Sequence, residues 1–417
     1  MNEFFIHQRI ESVWRTESAN IIAFITRMVR DIGIAEDLAQ DTLIIALERW
    51  PVSGIPDNPG AWLMTVAKRK AIDLLRRKKR LDQKYEQMAY EMNTNYEPDL
   101  ADEIDEDIDD NLLRLIFMTC HPVLSKNARV ALTLRLVGGL TTEEIANAFL
   151  VPEPTIAQRI VRAKRTLATA NVPFEVPQKT AYAERLSSVL EVIYLMFNEG
   201  YSATSGENLV RMNLCNEALR MGRVLVNLIP IEPEVHGLVA LMEIQVSRFK
   251  ARTNTEGEMI LLLDQDRSLW DQEHIKRGVA SLKKAEDLHG TFGRYALQAA
   301  IATCHARVDS PEKTNWKLIS ALYDALSKIT PSPVVELNRA VAISMGYGPK
   351  AGLEIVDTLL LEPALKNYHL LPSVRGNLLL KLGRKREASE EFRRAASLTQ
   401  NVQEKKFLSK QAKDCMK

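Results

Sequence analysis

The sequence predicts an all-α protein with three parts: a helical domain, a helix-turn-helix domain and a C-terminal array of helical hairpins. Three observations support this. Apolar residues recur every three to four positions almost throughout. Alternating β-branched runs closed by Asn-Gly or Asp-Gly turns do not occur. The charges are sorted into blocks along the chain, which marks units with different jobs. A length of 417 residues suggests two to four domains at roughly 150 residues each.

Composition excludes several classes. With 46% apolar, 26% charged and 6% aromatic residues, the chain is neither disordered nor collagen-like. No apolar run reaches the roughly 18 residues of a membrane span, and the N-terminus lacks the charged-then-apolar order of a signal peptide. A cytoplasmic location without membrane contact is expected. Cys120, Cys215, Cys304 and Cys415 have no CxxC spacing and read as free thiols.

The net charge of +1 hides a pattern. Residues 66–81 hold eight basic groups and one acid, residues 82–110 hold twelve acids and one lysine, and residues 154–167 hold four basic groups and no acid. The first unit, 1–80, is expected to have helices at 8–30, 35–50 and 58–79. The middle helix gathers Leu38, Leu43, Ala46, Leu47 and Trp50 near one face, with Asp37, Gln40, Asp41 and Glu48 largely on the other. Pro51, Gly54, Pro56, Pro59 and Gly60 then break the pattern. The third helix buries Leu63, Val66, Ala67, Ala71 and Leu74 and turns Lys68, Arg69, Arg76 and Arg77 outward. Residues 81–110 read as an acidic flexible linker whose end leads into the next helix.

The second unit, 111–170, has helices at 110–119 and 126–137, the latter ended by Gly138 and Gly139. Thr141 and Glu144 form a T-x-x-E capping box that opens a short helix. After a four-residue turn, Pro154 suits the first turn of another. There Ile156, Ile160, Ala163 and Leu167 form one stripe. Thr155, Gln158, Arg159, Arg162 and Arg165 lie opposite. This is a helix-turn-helix layout with a basic outward face. Thr155, Gln158 and Arg159 suit base edges, while Arg162, Lys164 and Arg165 suit phosphates. In the first unit, Asn58, Trp62 and the Arg/Lys cluster combine an aromatic with a basic groove, as melting DNA requires. Trp62 has a second reading as a core residue packed on Val66.

From 180 to 417 the chain reads as helical hairpins. In 376–398, Gly376, Ala388 and Ala395 alternate with Leu380 and Phe392, and Gly383 sits between the helices. That spacing matches a tetratricopeptide repeat. A weaker copy carries Ala340, Gly346 and Ala351.

The order AEDLAQDTLIIALERW, NPGAWLMTVAKRKAIDLLRR, LTTEEIANAFLVPEPTIAQRIVRAKRTL resembles a sigma-70 family RNA polymerase sigma factor of the extracytoplasmic-function type. The first two segments match region 2 and the third matches region 4. LMFNEGYSATSGE and LLLDQDRSLWD resemble the subgroup with a tetratricopeptide-like C-terminal extension. The resemblance implies partners and roles. Asp37, Gln40 and Asp41 would meet the clamp helices of the polymerase β′ subunit, and region 4 would lie at the β flap. Asn58, Trp62, Lys68, Arg69, Arg76 and Arg77 would recognise and melt the −10 element, with Asp73 orienting an arginine. Thr155, Gln158, Arg159, Arg162, Lys164 and Arg165 would read the −35 element. The acidic linker would mimic RNA in the polymerase channel. The extension, or a small regulatory protein such as one related to the YCII type, would set activity.

The extension contains no nucleophile motif, P-loop, GxGxxG or HExxH, so neither catalysis, a metal nor a cofactor is expected. Cys120-His121 and Cys304-His305 are neighbours that point about 100° apart on a helix. Glu199, Tyr201, Asp264, Asp266, Arg267 and Trp270 are candidates for a regulatory interface, because acid, Arg and Trp together suit protein contacts. Two other readings remain: a stand-alone helix-turn-helix regulator with a helical sensor, and a repeat scaffold that does not bind DNA.

Overall fold

The structure is a computed structural model that describes residues 3–89, 108–149, 151–202, 205–206, 211–254, 258–289 and 292–416. Among these residues it is all-α apart from two strands of two residues each. The chain divides into two compact units, Met1–Val192 and Ile193–Lys417.

The first unit contains α1 (Glu3–Val29), α2 (Ile32–Ser53), α3 (Pro59–Ala89), α4 (Ile108–Thr119), α5 (Lys126–Leu136), α6 (Thr142–Phe149), α7 (Glu153–Thr169) and the first half of α8 (Lys179–Tyr201). α1 is the central post, packing on α2, α3 and α4 through buried Ile21, Ile22 and Ile25. α2 starts three residues earlier than its apolar pattern suggests. Asp31 caps it, accepting from the Gly33 and Ile34 amides at 2.8 and 2.9 Å. It also runs past Pro51 to Ser53, because a proline in the last turn forfeits only one backbone hydrogen bond.

α3 continues to Ala89, into the stretch expected to be linker. LDQKYEQMA has no Gly or Pro and is rich in good helix formers, so high charge alone does not stop the helix. The rest of the expected linker up to 107 lies outside the described residues; 108–110 already belong to α4.

The capping box forms as expected. The Thr141 amide donates to Glu144 Oε2 at 2.8 Å, and the Glu144 amide donates to Thr141 Oγ1 at 3.1 Å. Ile156, Ile160, Ala163 and Leu167 are all buried where α7 packs on α5 and α6.

Helix α8 was expected to open the extension. Its first half instead belongs with the helix-turn-helix. Ser188 Oγ donates to Cys120 O at 2.5 Å, Arg185 donates to Phe117 O at 2.7 Å, and Arg129 binds both Ser188 and Glu191.

The second unit contains α9 (Met212–Leu228), α10 (Pro233–Val246), α11 (Gln272–His289), α12 (Arg294–Ala306), α13 (Trp316–Ile329), α14 (Pro333–Tyr347), α15 (Pro349–Leu359), α16 (Leu370–Lys381), α17 (Lys385–Leu398) and α18 (Val402–Asp414). Sequential helices pack as hairpins. In the last copy Ala388, Phe392 and Ala395 are buried, and Gly383 takes φ +78° at the turn. In the weaker copy the small contact residue is Gly352, one position beyond the expected Ala351. A methyl group at Gly352 would lie 2.5 Å from Ser344 Cβ and 2.8 Å from Ala340 O. The strands β1 (Ser205–Gly206) and β2 (Gln400–Asn401) pair in parallel and tie the first hairpin's approach to the last turn. Two residues of strand are too short to leave a sequence signal.

Gly352→Ala is therefore expected to destabilise the extension by about 1–3 kcal/mol through overpacking. Gly346→Ala meets nothing nearer than 3.6 Å and should be neutral or stabilising by up to about 1 kcal/mol. Thermal melting followed by circular dichroism checks this; equal effects at both sites would contradict the packing.

Candidate nucleic-acid and polymerase interface

Three surfaces of the first unit carry the residues singled out from sequence. On α3, Asn58 is the start signal: its Oδ1 accepts from the Ala61 amide at 3.0 Å. Leu63, Ala67 and Ala71 are buried. Arg69, Arg76 and Arg77 are exposed and Lys68 is half-buried, so the helix presents a basic ridge. Trp62 takes up its core reading in part. It is half-buried, with its ring edge-on to buried Trp50 at 5.4 Å between centroids. Asp73 is exposed, and no ion pair links it to an arginine among the described residues.

On α7, Thr155, Gln158, Arg162 and Arg165 are exposed and Arg159 is half-buried. Thr155, Gln158, Arg159 and Arg162 line a groove of about 390 Å³ against the turn before α5. Lys164 departs from this set. It is one helical step round from them, and its Nζ forms an ion pair with Glu36 of α2.

On α2, Asp37 is exposed, Asp41 accepts from Lys70 Nζ at 2.9 Å, and Gln40 Nε2 donates to Glu36 at 3.0 Å. Exposed Ile44 and Leu47 continue this face, giving it the mixed character of a protein-binding surface.

Glu36 is the residue that sequence reasoning missed. Only 4% exposed, it accepts from Arg135 Nε at 2.7 Å, from Lys164 and from Gln40. Burial alone would raise its pKa. Hydrogen bonds and positive charge from Lys164 and Arg135 more than reverse that, holding the carboxyl below its usual range. Arg15 makes a second contact, pairing with the capping-box Glu144. In the sequence Glu36 is one more acid at the start of an amphipathic helix; only tertiary packing supplies its partners.

In the second unit, Tyr201 and Trp270 are brought into one cluster. Arg252 lies 3.8 Å over the Tyr201 ring, and Arg248 lies 6.0 Å from Tyr201 and 5.5 Å from Trp270. Arg267 stacks 5.2 Å from Trp270 and donates to the His305 and Val308 carbonyls. Glu199 pairs with Arg211 at 2.6 Å. Asp264 and Asp266 face solvent instead, and Asp266 caps its own turn through the Ser268 amide at 2.9 Å. Burial raises the Cys120 and Cys304 thiols and lowers the pKa of His121 and of His305 to about 4. Among the described residues, no three His, Cys, Asp or Glu side chains converge on a metal site. No helix there is long and apolar enough to cross a membrane.

Residues 14–81 match the family model for Sigma-70 region 2, and residues 114–167 match that for Sigma-70, region 4. Residues 185–286 match a family of unknown function (DUF6596). An uncharacterized protein of Rhizobium meliloti is 43% identical over 386 residues, 92% of this chain and 90% of that one. A probable ECF RNA polymerase sigma factor SigI of Mycobacterium tuberculosis is 27% identical over 166 residues, 40% of this chain and 57% of that protein. An ECF RNA polymerase sigma factor SigK of a Mycobacterium species is 29% identical over 154 residues, 35% of this chain and 74% of that protein. No solved structure gives a significant match. The chain belongs to the sigma-70 family, in its extracytoplasmic-function type, and carries a C-terminal extension. It is an RNA polymerase sigma factor, of a family of non-enzymatic transcription initiation factors that bind core polymerase and promoter DNA.

Glu36→Gln is expected to lower stability by about 1–3 kcal/mol at pH 7. That is below the full cost of breaking a buried pair, since Arg135 and Lys164 keep some solvent access. A carboxyl whose folded pKa lies below its unfolded value stabilises above the usual carboxylate range, and the contribution fades as pH falls through the folded pKa. Urea midpoints should therefore differ between wild type and variant at pH 7, with the gap narrowing below about pH 4. A gap constant with pH would contradict the ionised pair.

Proposed function

We propose that this sigma factor directs core polymerase to promoters by dividing the work among its three surfaces. The α2 face, with Asp37, Gln40, Asp41, Ile44 and Leu47, docks on the β′ clamp helices, and the helix-turn-helix sits at the β flap. The basic ridge of α3, with Asn58 and Trp62 at its start, recognises and melts the −10 element. α7 reads the −35 element: Thr155, Gln158 and Arg159 at base edges, and Arg162 and Arg165 at phosphates, while Lys164 stays on Glu36. The acidic stretch 82–110 threads the polymerase channel in place of RNA. The extension sets when the factor acts, through its own contacts or through a small regulatory protein. The factor works in the cytoplasm.

One observation carries most of this reading. A single unit presents two exposed basic helices, each begun by local capping or proline geometry and each backed by a buried apolar stripe. Clusters of exposed basic groups, with Asp73 of α3 among them, are what a phosphate backbone selects.

In vitro transcription with core polymerase tests it. The full chain should initiate from specific promoters only when core is present. Gln158→Ala should relax the preference at one −35 base pair, a loss of about 1–3 kcal/mol. Arg165→Ala should weaken all promoters alike and reduce the salt slope by about one. Absence of polymerase-dependent initiation would overturn the reading, and specific operator binding without polymerase would favour the stand-alone regulator. A truncation testing the extension should end after 201 rather than near 175, since the first half of α8 completes the helix-turn-helix packing.

A further inference from the structure

We propose that the extension holds a binding site for a phosphate oxyanion, free or carried on a small molecule, where Arg248, Arg252 and Arg267 gather around Tyr201 and Trp270. The site lies wholly within the second unit, and it stands apart from the division of work among α2, α3 and α7.

Cations outnumber their counter-charges here. Arg248 lies between two rings, 6.0 Å from the Tyr201 centroid and 5.5 Å from that of Trp270. Arg252 is 3.8 Å from the Tyr201 ring and Arg267 is 5.2 Å from the Trp270 ring. Arg252 and Arg267 are each only 8% exposed. Among the described residues, none of the three guanidinium groups pairs with a carboxylate. Other arginines of this unit do: Arg211 pairs with Glu199, Arg339 with Asp324 and Arg375 with Glu391. The carboxylates near enough to be felt are committed elsewhere. Glu404 accepts from Thr399 Oγ1 at 2.6 Å and pairs with His369 at 3.1 Å, Asp309 accepts from Lys313 at 2.8 Å, and Glu312 bonds to Ser310. A guanidinium taken out of water without a counter-charge is costly, and stacking on a ring returns only part of that cost.

Unused donors make a second, independent signal. The Nε atoms of Arg248 and Arg267, the indole Nε1 of Trp270 and the Tyr201 hydroxyl are all buried without a hydrogen-bond partner among the described residues. Arg267 spends its Nη1 on the His305 and Val308 carbonyls, and Arg252 spends its own on the Tyr201 carbonyl. Those two arginines therefore also hold the array together. Arg248 makes no such bond. Buried donors nearly always find an acceptor, so four idle ones in a cluster of cations point to an acceptor from outside the chain.

Charge selects the ligand. Burial, and in the same direction the charge of Arg248, lower the pKa of Arg252 and of Arg267. Burial, Arg248 and Arg267 together lower that of His305 to about 4, so it stays neutral. A bound anion relieves this mutual repulsion. Phosphate brings up to two negative charges and several acceptor oxygens, and it matches the fork of a guanidinium. A carboxylate or a halide brings one charge. Arg248 and Tyr201 are half-buried, which leaves the cluster a side by which a small anion enters. Tyr201 and Trp270 come from NEGYSATSGE and LLLDQDRSLWD, so the ligand bridges the two segments that stand out most in the sequence of the extension.

The test is isothermal titration of the full-length chain with inorganic phosphate, with acetate and chloride at matched ionic strength as controls. Wild type is expected to bind phosphate, and its melting midpoint to rise by about 3 °C or more at saturation; acetate and chloride should do neither. Arg248→Met leaves α3 and α7 intact and is expected to weaken phosphate binding about tenfold or more. Without phosphate the same variant should melt no lower than wild type, because it removes a repelling charge. A cluster that is only structural predicts a lower midpoint in every buffer. Titration with ADP separates the two sources: tighter binding than inorganic phosphate assigns a phosphorylated small molecule, and weaker binding assigns the free ion. No binding of either, binding matched by acetate, or binding unchanged in Arg248→Met would overturn the site.

Discussion

The first unit is organised around one buried carboxylate. Glu36 cannot stay ionised in the interior without partners, and the three it has come from α2 itself, α5 and α7. That requirement sets where the helix-turn-helix rests. It also decides which basic residues remain available: Arg162 and Arg165 stay in solvent, while Lys164, on the same helix, is spoken for. The near-zero net charge of the whole chain thus conceals a local pairing in which a buried acid takes one of the cations of α7.

Much of this organisation is legible in the sequence wherever the physics is local. The capping box at Thr141 and Glu144, the buried stripe of α7, the exposed Arg/Lys ridge of α3 and the Gly383 turn all follow from spacing within a few residues. Helix ends are less legible. The N-cap at Asp31 and the run of α3 through 81–89 depend on weak propensities that the composition of neighbouring segments obscures. The Glu36–Lys164 pair is not legible at all. Helical phase places Glu36 near a polar face and Lys164 near a basic one, but no periodicity links residues 128 positions apart. The same limit explains α8, whose first half serves the helix-turn-helix through Ser188 and Glu191. It also explains Gly352, whose role is set by the carbonyl of Ala340 on the partner helix.

The extension follows a different logic. Its two most unusual segments, around Tyr201 and around Trp270, meet through Arg248 and Arg252, and β1–β2 pairing ties its beginning to its end. The acids that looked like interface groups, Asp264 and Asp266, point outward while Arg267 and Trp270 turn in. Guanidinium groups stacked on aromatic rings make a rigid join at low entropic cost. This cluster accordingly builds the repeat array, while the two acids stay at its surface.

The central claim is that the buried Glu36 carboxylate, shared by Arg135 and Lys164, sets where the helix-turn-helix rests. The most direct measurement is the distance between the two DNA-binding units, followed by energy transfer between dyes at exposed Val52 of α2 and exposed Ala170 at the end of α7. The account predicts high transfer in the free full-length chain and a marked fall when Glu36→Ala removes the carboxylate that Arg135 and Lys164 share. Identical transfer in wild type and Glu36→Ala would contradict it.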